Sequence, residues 1–250
     1  MITLTTDFGA SEYVGAMKGV IYSINPEAVV VDLSHGIRPF DIRHGAYALY
    51  TTFPYFPEGS VHVVVVDPGV GTERRGVIIE SEGHLFVGPD NGVFSLIEAE
   101  EVYEIKDVSA SSTFHGRDVF APVAARLDGG ERPAALGRRT DGVMRIMNKE
   151  VDVAYSIHGE VFCRDRFGNV ITSIREEHLK EAGLKRGGVP KVIVERRRIS
   201  APFVGTYGEI EGEGFGALVN SSGYFEIALR EGSAAERLDV RGGESVEVIP

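Results

Sequence analysis

Apolar residues repeat in two different ways along this 250-residue chain, and the change between them limits the possible folds. In the first part, β-branched runs alternate with segments whose apolar residues have helical spacing. That order of strand, helix, strand, helix and strand is typical of a parallel sheet. Later, short β-rich segments separated by turns indicate an antiparallel sandwich or barrel. The sequence therefore predicts an α/β N-terminal domain with a mainly parallel sheet flanked by helices, and a smaller all-β C-terminal domain.

Start and stop signals mark the elements of the first part. The predicted strands are 2–6, 28–33 and 61–66, the predicted helices are 13–24, 41–52 and 118–127, and a hairpin is predicted over 77–87. Pro26 ends the first helix, because proline cannot continue a helix and disfavours helical geometry in the residue before it. Asp41 is predicted to cap the second helix. The almost continuous apolar run 28–33 predicts a strand covered on both faces.

A polar stretch separates the two parts. Residues 129–149 contain few apolar runs and several turn-forming residues, so we place the boundary there. The predicted domains are 1–145 and 155–250. The β-rich segments predicted after the boundary are 159–163, 169–174, 192–194, 217–220, 224–229 and 246–249.

Charge and composition exclude several classes of protein. The 26 basic and 37 acidic side chains give a net charge of −11, which argues against a nucleic-acid partner. The one cysteine, Cys163, cannot form an internal disulfide or a multi-thiolate zinc site, which fits a reducing compartment. No run approaches about 18 consecutive apolar residues, and no basic and apolar signal follows Met1. We expect a cytoplasmic protein without a membrane segment.

Two aspartates follow predicted strands of the first domain, where a parallel sheet presents its ligand crevice. Asp7 could accept hydrogen bonds from a ribose diol, or it could cap the helix that follows. Asp67 precedes a Pro-Gly turn and then Arg74 and Arg75. An arginine within reach would hold the carboxylate ionised; alternatively Asp67 only satisfies backbone groups of the turn.

Three further segments could carry function or only form turns. The segment 88–92 is first of all a turn signal. His115 lies just before a predicted helix, beside Gly116, where the backbone could approach a ligand; a single histidine is more often a capping or surface residue. The segment 165–169 joins two predicted strands and is by itself an ordinary hairpin turn.

These segments occur in one order that closely resembles the S-adenosyl-L-methionine hydrolase (adenosine-forming) family, which is related to fluorinating and chlorinating enzymes acting on the same substrate. The matching segments are 6–9, 13–21, 66–72, 89–92, 113–122 and 165–169. The resemblance runs from Thr5 to about Ala228, nearly the whole chain. It implies hydrolysis of S-adenosylmethionine to adenosine and methionine, without a metal or redox cofactor.

The resemblance also implies catalytic residues. Asp67, an arginine and His115 would hold the water that attacks C5′ of the ribose. Arg74 is the expected arginine from its distance to Asp67, and the adjacent Arg75 stays an alternative. Halogenating relatives have tyrosine at the positions of Asp67 and His115, so this chain is expected to use water rather than halide. Binding of adenosine or S-adenosylmethionine by a sensor protein, and halogenation, remain the alternatives.

Substrate-binding residues are implied in the same way. Asp7 would bind the ribose hydroxyls, and Asp165 and Ser221 would bind the methionine amine and carboxylate. Asn169 would contact the adenine edge and Tyr207 the adenine face. The backbone from Ala228 to Glu231 would contact the base, and Glu226 also belongs to the predicted binding set. Ser173 stands where many relatives have asparagine. Ser222 stands where halogenating relatives have arginine. The family is similar in forming homotrimers, with the site between one subunit's N-terminal domain and its neighbour's C-terminal domain.

Overall fold

The computed structural model describes residues 1–106 and 113–250. It divides the chain into two compact units, Met1–Ile146 and Met147–Pro250. Within the described residues, no helix has the length and apolar character needed to cross a membrane.

A sheet packed between helices forms the N-terminal unit. Its strands are β1 Ile2–Thr6, β2 Val30–Ser34, β3 Val61–Val65, β4 Gly76–Ser81, β5 His84–Pro89, β6 Glu101–Ile105 and β7 Gly137–Thr140. Its helices are α1 Glu12–Ile24, α2 Ile42–Thr52, α3 Ala121–Asp128 and α4 Pro133–Leu136, with a 3-10 turn at Phe53–Tyr55 and a π-helical turn at Gly116–Phe120 that leads into α3. The described strands lie in the order β2-β1-β3-β5-β4-β6-β7.

The N-terminal sheet is mixed rather than mainly parallel. The pairings β1–β2, β1–β3 and β3–β5 are parallel, whereas β4–β5, β4–β6 and β6–β7 are antiparallel. The physical reason is the tight turn at Glu82 and Gly83, both with positive φ, because two strands joined by such a turn must run antiparallel. The sequence predicts this hairpin but does not assign it to the sheet. β7 lies in the stretch predicted as a polar boundary and is too short and polar to show a strand pattern.

Strand β2 is a further departure from the prediction. It lies at the edge of the sheet, and its side chains are partly exposed rather than covered on both faces. Asp32 on β2 pairs with Lys18 of α1 at 2.6 Å. An edge strand with a charged side chain is protected against pairing with another sheet edge.

The predicted helices of the first part are confirmed, with small shifts at their ends. In α1, Met17 and Ile21 are completely buried, and in α2 the buried face includes Leu49. Asp41 caps α2, because its Oδ1 accepts a hydrogen bond from the His44 backbone N–H at 3.0 Å. The third predicted helix begins as the π-helical turn at Gly116.

An antiparallel sheet forms the C-terminal unit. Its strands are β8 Asp152–Val153, β9 Ile157–Arg164, β10 Val170–Arg175, β11 Lys191–Val194, β12 Arg197–Ser200, β13 Phe215–Val219, β14 Tyr224–Leu229 and β15 Ser245–Ile249. Two short helices, α5 Glu176–Glu181 and α6 Ala234–Leu238, and a 3-10 turn at Tyr207–Glu209 complete it. The order is β12-β11-β15-β9-β10-β14-β13, with β8 on β9. A bridge between Phe203 and Ala217 links the chain after β12 to β13, so the sheet curls almost into a barrel. The predicted all-β character is confirmed.

Candidate functional site

Asp67 lies just beyond the carboxyl end of a fully buried strand of the N-terminal unit, β3. Every residue of β3 is buried, and Asp67 follows that strand at the start of a turn. Its Oδ1 accepts a hydrogen bond from the Gly69 backbone N–H at 3.1 Å, and its side chain is only 5% exposed. A carboxylate this deeply buried requires compensating donors or a counter-charge.

Arg74 supplies that counter-charge and joins Asp67 to His115. Its Nε lies 3.0 Å from Asp67 Oδ1 and 3.1 Å from Oδ2, and its Nη2 also donates to Oδ2. The same Nη2 lies 2.8 Å from Nδ1 of His115. The guanidinium also stacks over the ring of Phe120, with 5.3 Å between Cζ and the ring centroid. Planar donors and a flat packing surface fix Arg74 in one orientation.

The contact with Arg74 determines the protonation of His115. A guanidinium has only donors, so Nδ1 of His115 must accept, and the proton of the neutral ring is assigned to Nε2. Burial lowers the pKa of His115 below its ordinary value, and the positive charge of Arg74 lowers it further, against opposing effects of Asp67 and Asp118. His115 is therefore a neutral ring that donates through Nε2.

Arg75, the alternative arginine, belongs to a different network. Its Nε donates to Asp90 Oδ2 at 2.7 Å, and its Nη1 donates to Thr140 Oγ1 at 2.9 Å. Asp90 Oδ1 also accepts from the Met144 backbone N–H at 2.7 Å. These contacts tie β4 and β5 to β7 and the chain beyond it. Of the two adjacent arginines, only Arg74 contacts Asp67 and His115 in the described structure.

A cavity of about 620 Å³ opens beside the network. Asp7, Asp67 and His115 line it, together with aromatic side chains. Asp7 Oδ2 accepts a hydrogen bond from the Phe40 backbone N–H at 2.8 Å. Burial raises the pKa of Asp7, and the negative charge of Asp67 raises it further. The ends of β1 and β3 thus bring two predicted residues, 60 positions apart in the chain, to one cavity.

Aromatic residues of this cavity were missed by the sequence reasoning. Phe8, Tyr13 and Phe114 meet edge to face, with ring centroids 5.2 to 5.9 Å apart. Phe8 directly follows Asp7, and Phe114 directly precedes His115. Their positions next to predicted site residues could have identified them as residues of the cavity. Phe40 gave no such signal: it lines the cavity from the loop after β2, in a left-handed backbone conformation with φ of +67°.

A second cavity, of about 730 Å³, lies in the C-terminal unit. Four residues of the predicted binding set line it: Asp165, Asn169, Tyr207 and Glu231. Asp165 Oδ1 accepts from the Asn169 backbone N–H at 2.9 Å, and its Oδ2 accepts from Asn169 Nδ2 at 2.9 Å. These bonds fix the Asn169 amide in one orientation at the cavity wall. Phe167 also lines this cavity and was not predicted to bind.

The other residues of the predicted binding set lie elsewhere. Ser221 is exposed on the turn between β13 and β14. Glu226 and Ala228 are 2% and 0% exposed within β14. Burial raises the pKa of Glu226, against hydrogen bonds from Tyr207 and Asn220 that lower it. Across residues 1–106 and 113–250, no cluster of three or more His, Cys, Asp or Glu side chains is arranged to hold a metal ion.

Known proteins match both units. Residues 2–137 match the model of the SAM hydroxide adenosyltransferase N-terminal domain, and residues 159–247 match that of the C-terminal domain. The (R)-S-adenosyl-L-methionine hydrolase of Methanocaldococcus jannaschii is 39% identical, over 100% of this chain and 95% of that protein. The crystal structure of an uncharacterized conserved protein from Thermotoga maritima has a TM-score of 0.87 at 35% identity, covering 100% of both chains.

A more distant relative is the fluorinase of Actinopolyspora mzabensis, 26% identical over 99% of this chain and 96% of that protein. The two family-model matches together span well over half of the residues, and the Methanocaldococcus relative is similar over the full length. This chain belongs to the SAM hydroxide adenosyltransferase family.

Proposed function

We propose that this protein hydrolyses S-adenosylmethionine to adenosine and methionine, by attack of water on C5′ of the ribose. The observation that carries the proposal is the Asp67–Arg74–His115 network at the wall of a cavity, in a chain of this family. The Methanocaldococcus relative is named as a hydrolase of S-adenosyl-L-methionine, which supports the same reaction.

The chemistry of the substrate sets what the site must supply. As the C5′–O bond forms, the C5′–S bond breaks and its electron pair stays on sulfur, so methionine leaves as a neutral thioether. That departure needs no general acid, and the reaction balances without a metal or a redox cofactor. Two requirements remain: a water held in line with the C–S bond, about 3 Å from the carbon, and an acceptor for its proton.

The three residues divide these requirements between them. Arg74 donates to both oxygens of the Asp67 carboxylate, and Asp67 accepts the proton of the water. His115 donates from Nε2 to the water oxygen and to the negative charge that develops on it. We therefore assign proton acceptance to Asp67 and water orientation to His115.

Substrate binding is proposed for both cavities. Asp7, held by the Phe40 N–H, accepts hydrogen bonds from the ribose hydroxyls. In the C-terminal unit, Asn169 contacts the adenine edge and Tyr207 the adenine face, while Asp165 and the Ser221 turn receive the methionine part. The size of each cavity is suited to part of a nucleoside-sized ligand.

We further propose a homotrimer in which the N-terminal unit of one subunit and the C-terminal unit of its neighbour together enclose the substrate. Exposed aromatic side chains at both cavities support this: Phe40 is 69% exposed and Phe167 is 73% exposed. Apolar groups exposed beside a cavity favour coverage by a partner or a ligand. A cytoplasmic location completes the proposal and fits the single, buried Cys163.

Incubation with S-adenosylmethionine in ¹⁸O-labelled water tests the reaction. The label should appear in the 5′-oxygen of adenosine, with methionine released in equal amount. Formation of 5′-chloro-5′-deoxyadenosine in chloride buffer would show halogenation instead, the activity class of the fluorinase relative. Tight adenosine binding with intact S-adenosylmethionine after hours would show a binding protein and overturn the proposal.

A further inference from the structure

A buried carboxyl group lies within the sheet of the C-terminal unit. Glu226 is in the interior of β14, opposite Leu218 of β13 on one side and Ile171 of β10 on the other. Its side chain is 2% exposed, and it is not among the residues that line the 730 Å³ cavity. A buried carboxyl group is costly unless hydrogen-bond donors satisfy it, so its partners indicate why it is there.

One carboxyl oxygen of Glu226 holds a residue of the cavity. Oε1 accepts a hydrogen bond from the hydroxyl of Tyr207 at 2.7 Å. Tyr207 lies in the 3-10 turn before β13 and is 46% exposed, so protein packing constrains only part of its ring. The bond to a rigid strand therefore fixes the direction in which the ring faces the cavity.

The other oxygen holds the turn between β13 and β14. Oε2 accepts from Asn220 Nδ2 at 3.2 Å. The side-chain oxygen of Asn220 accepts from the backbone N–H groups of Ser222 and Tyr224 at 3.0 and 3.1 Å. The amide of Asn220 thus shapes the turn that carries Ser221, and Glu226 fixes the orientation of that amide.

We propose that Glu226 is a positioning residue, which holds Tyr207 and the Ser221 turn in the arrangement that receives the adenine and methionine parts of the substrate. It acts through these partners and does not contact the ligand. The inference rests on the function proposed above. It predicts that substitutions of Glu226 weaken binding and leave the reacting groups of the N-terminal unit unaffected.

Three variants separate positioning from general stability. Glu226→Leu removes both acceptors at similar volume, Glu226→Gln keeps one carbonyl oxygen, and Tyr207→Phe removes only the hydroxyl. We expect Glu226→Leu and Tyr207→Phe to raise KM for S-adenosylmethionine and Kd for adenosine about tenfold, with kcat within about twofold of the wild type. Glu226→Gln should be intermediate. The double variant Glu226→Leu with Tyr207→Phe should be no worse than Glu226→Leu alone, because both changes remove the same bond.

Thr172→Val is the matched control. It removes a buried hydrogen bond from Thr172 Oγ1 to the Phe225 backbone oxygen, 2.8 Å long, in the neighbouring strand β10. It should lower the unfolding temperature and leave KM unchanged.

An unchanged KM in Glu226→Leu, or multiplicative effects on KM in the double variant, would overturn the inference. If Glu226→Leu does not fold, Tyr207→Phe decides alone, because it alters only a hydroxyl. A wild type that binds adenosine without turning over S-adenosylmethionine contradicts the proposed hydrolysis, and the adenosine Kd still tests Glu226.

Discussion

Nη2 of Arg74 lies 2.8 Å from Nδ1 of His115, while the same guanidinium holds both oxygens of Asp67. One cation therefore binds the carboxylate of Asp67 and sets the tautomer of the imidazole of His115. Arginine suits this task because its donors lie in a fixed plane and it stays charged at every physiological pH.

Arg74→Lys should abolish most of the activity. A lysine ammonium cannot reach Asp67 and His115 in the same planar geometry, so it cannot bind the carboxylate and set the tautomer of His115 at the same time. We expect kcat to fall by at least about 100-fold, in line with the loss of one preorganised electrostatic group. Arg75→Lys is the matched control: it should lower thermal stability through its contacts to Asp90 and leave kcat within a few-fold. Equal loss of kcat in both variants would contradict the assignment.

The pH dependence of kcat/KM should reveal His115 as a neutral donor. Its pKa is lowered by burial and by Arg74, so the active neutral form persists below the ordinary histidine value of about 6.5. We expect no loss of kcat/KM as the pH falls from 8 to about 6.5, and a decline only below that. His115→Gln keeps a donor and should retain more activity than His115→Ala. A decline centred at or above pH 7 that disappears in His115→Gln would show that the pKa of His115 is not lowered, and would contradict the neutral ring.

Mixing inactive subunits tests the proposed shared site. Asp67→Ala disables the N-terminal half of a site and Asp165→Ala the C-terminal half. In a trimer with sites between subunits, random mixing of the two variants gives about a quarter of sites with both halves intact. Activity should therefore reappear after co-refolding. A mixture of Asp67→Ala with Arg74→Lys, both in the N-terminal half, should stay inactive. If the mixture of Asp67→Ala and Asp165→Ala forms trimers but stays inactive, each site lies within one chain.

Acid should destabilise the N-terminal unit through the buried His62. His62 is completely buried; its Nδ1 lies 2.8 Å from Thr3 Oγ1 and its Nε2 lies 3.2 Å from His84 Nδ1. Burial, with a smaller effect of His84, lowers the pKa of His62 to about 3. Between about pH 6.5 and 3 the unfolded chain binds a proton that the folded protein does not. Folding stability is therefore unaffected above pH 6.5 and falls as the pH drops below it, by at most about 1.4 kcal/mol per pH unit.

Urea unfolding at pH 7.5, 6 and 5 measures this effect. His62→Leu should flatten the dependence of the unfolding free energy on pH, because the titrating group is gone. His158→Gln is the control, because it removes a histidine that is 52% exposed and lies in the C-terminal unit, and it leaves the contacts of His62 in place. A slope that survives in His62→Leu would assign the acid sensitivity to other groups.

Local patterns were sufficient for most of the elements. Helical spacing identified α1 and α2, and Asp41 caps α2 as expected. The β-rich segments of the second part each became a strand, because alternating apolar side chains and tight turns act over a few residues. Strand β12 was missed, since its sequence is rich in arginine and lies on the exposed edge of its sheet.

Sequence by itself determined the elements, the family and the residues from which a site could be built, because spacing, turn chemistry and motif order are local properties of the chain. Tertiary structure decided the rest. It showed that the hairpin of β4 and β5 joins the main sheet, which makes that sheet mixed. It also separated two adjacent arginines: Arg74 meets His115, 41 positions away, and Arg75 turns to Asp90. Such contacts depend on which strand ends and loops the fold brings together, and no local pattern contains that information.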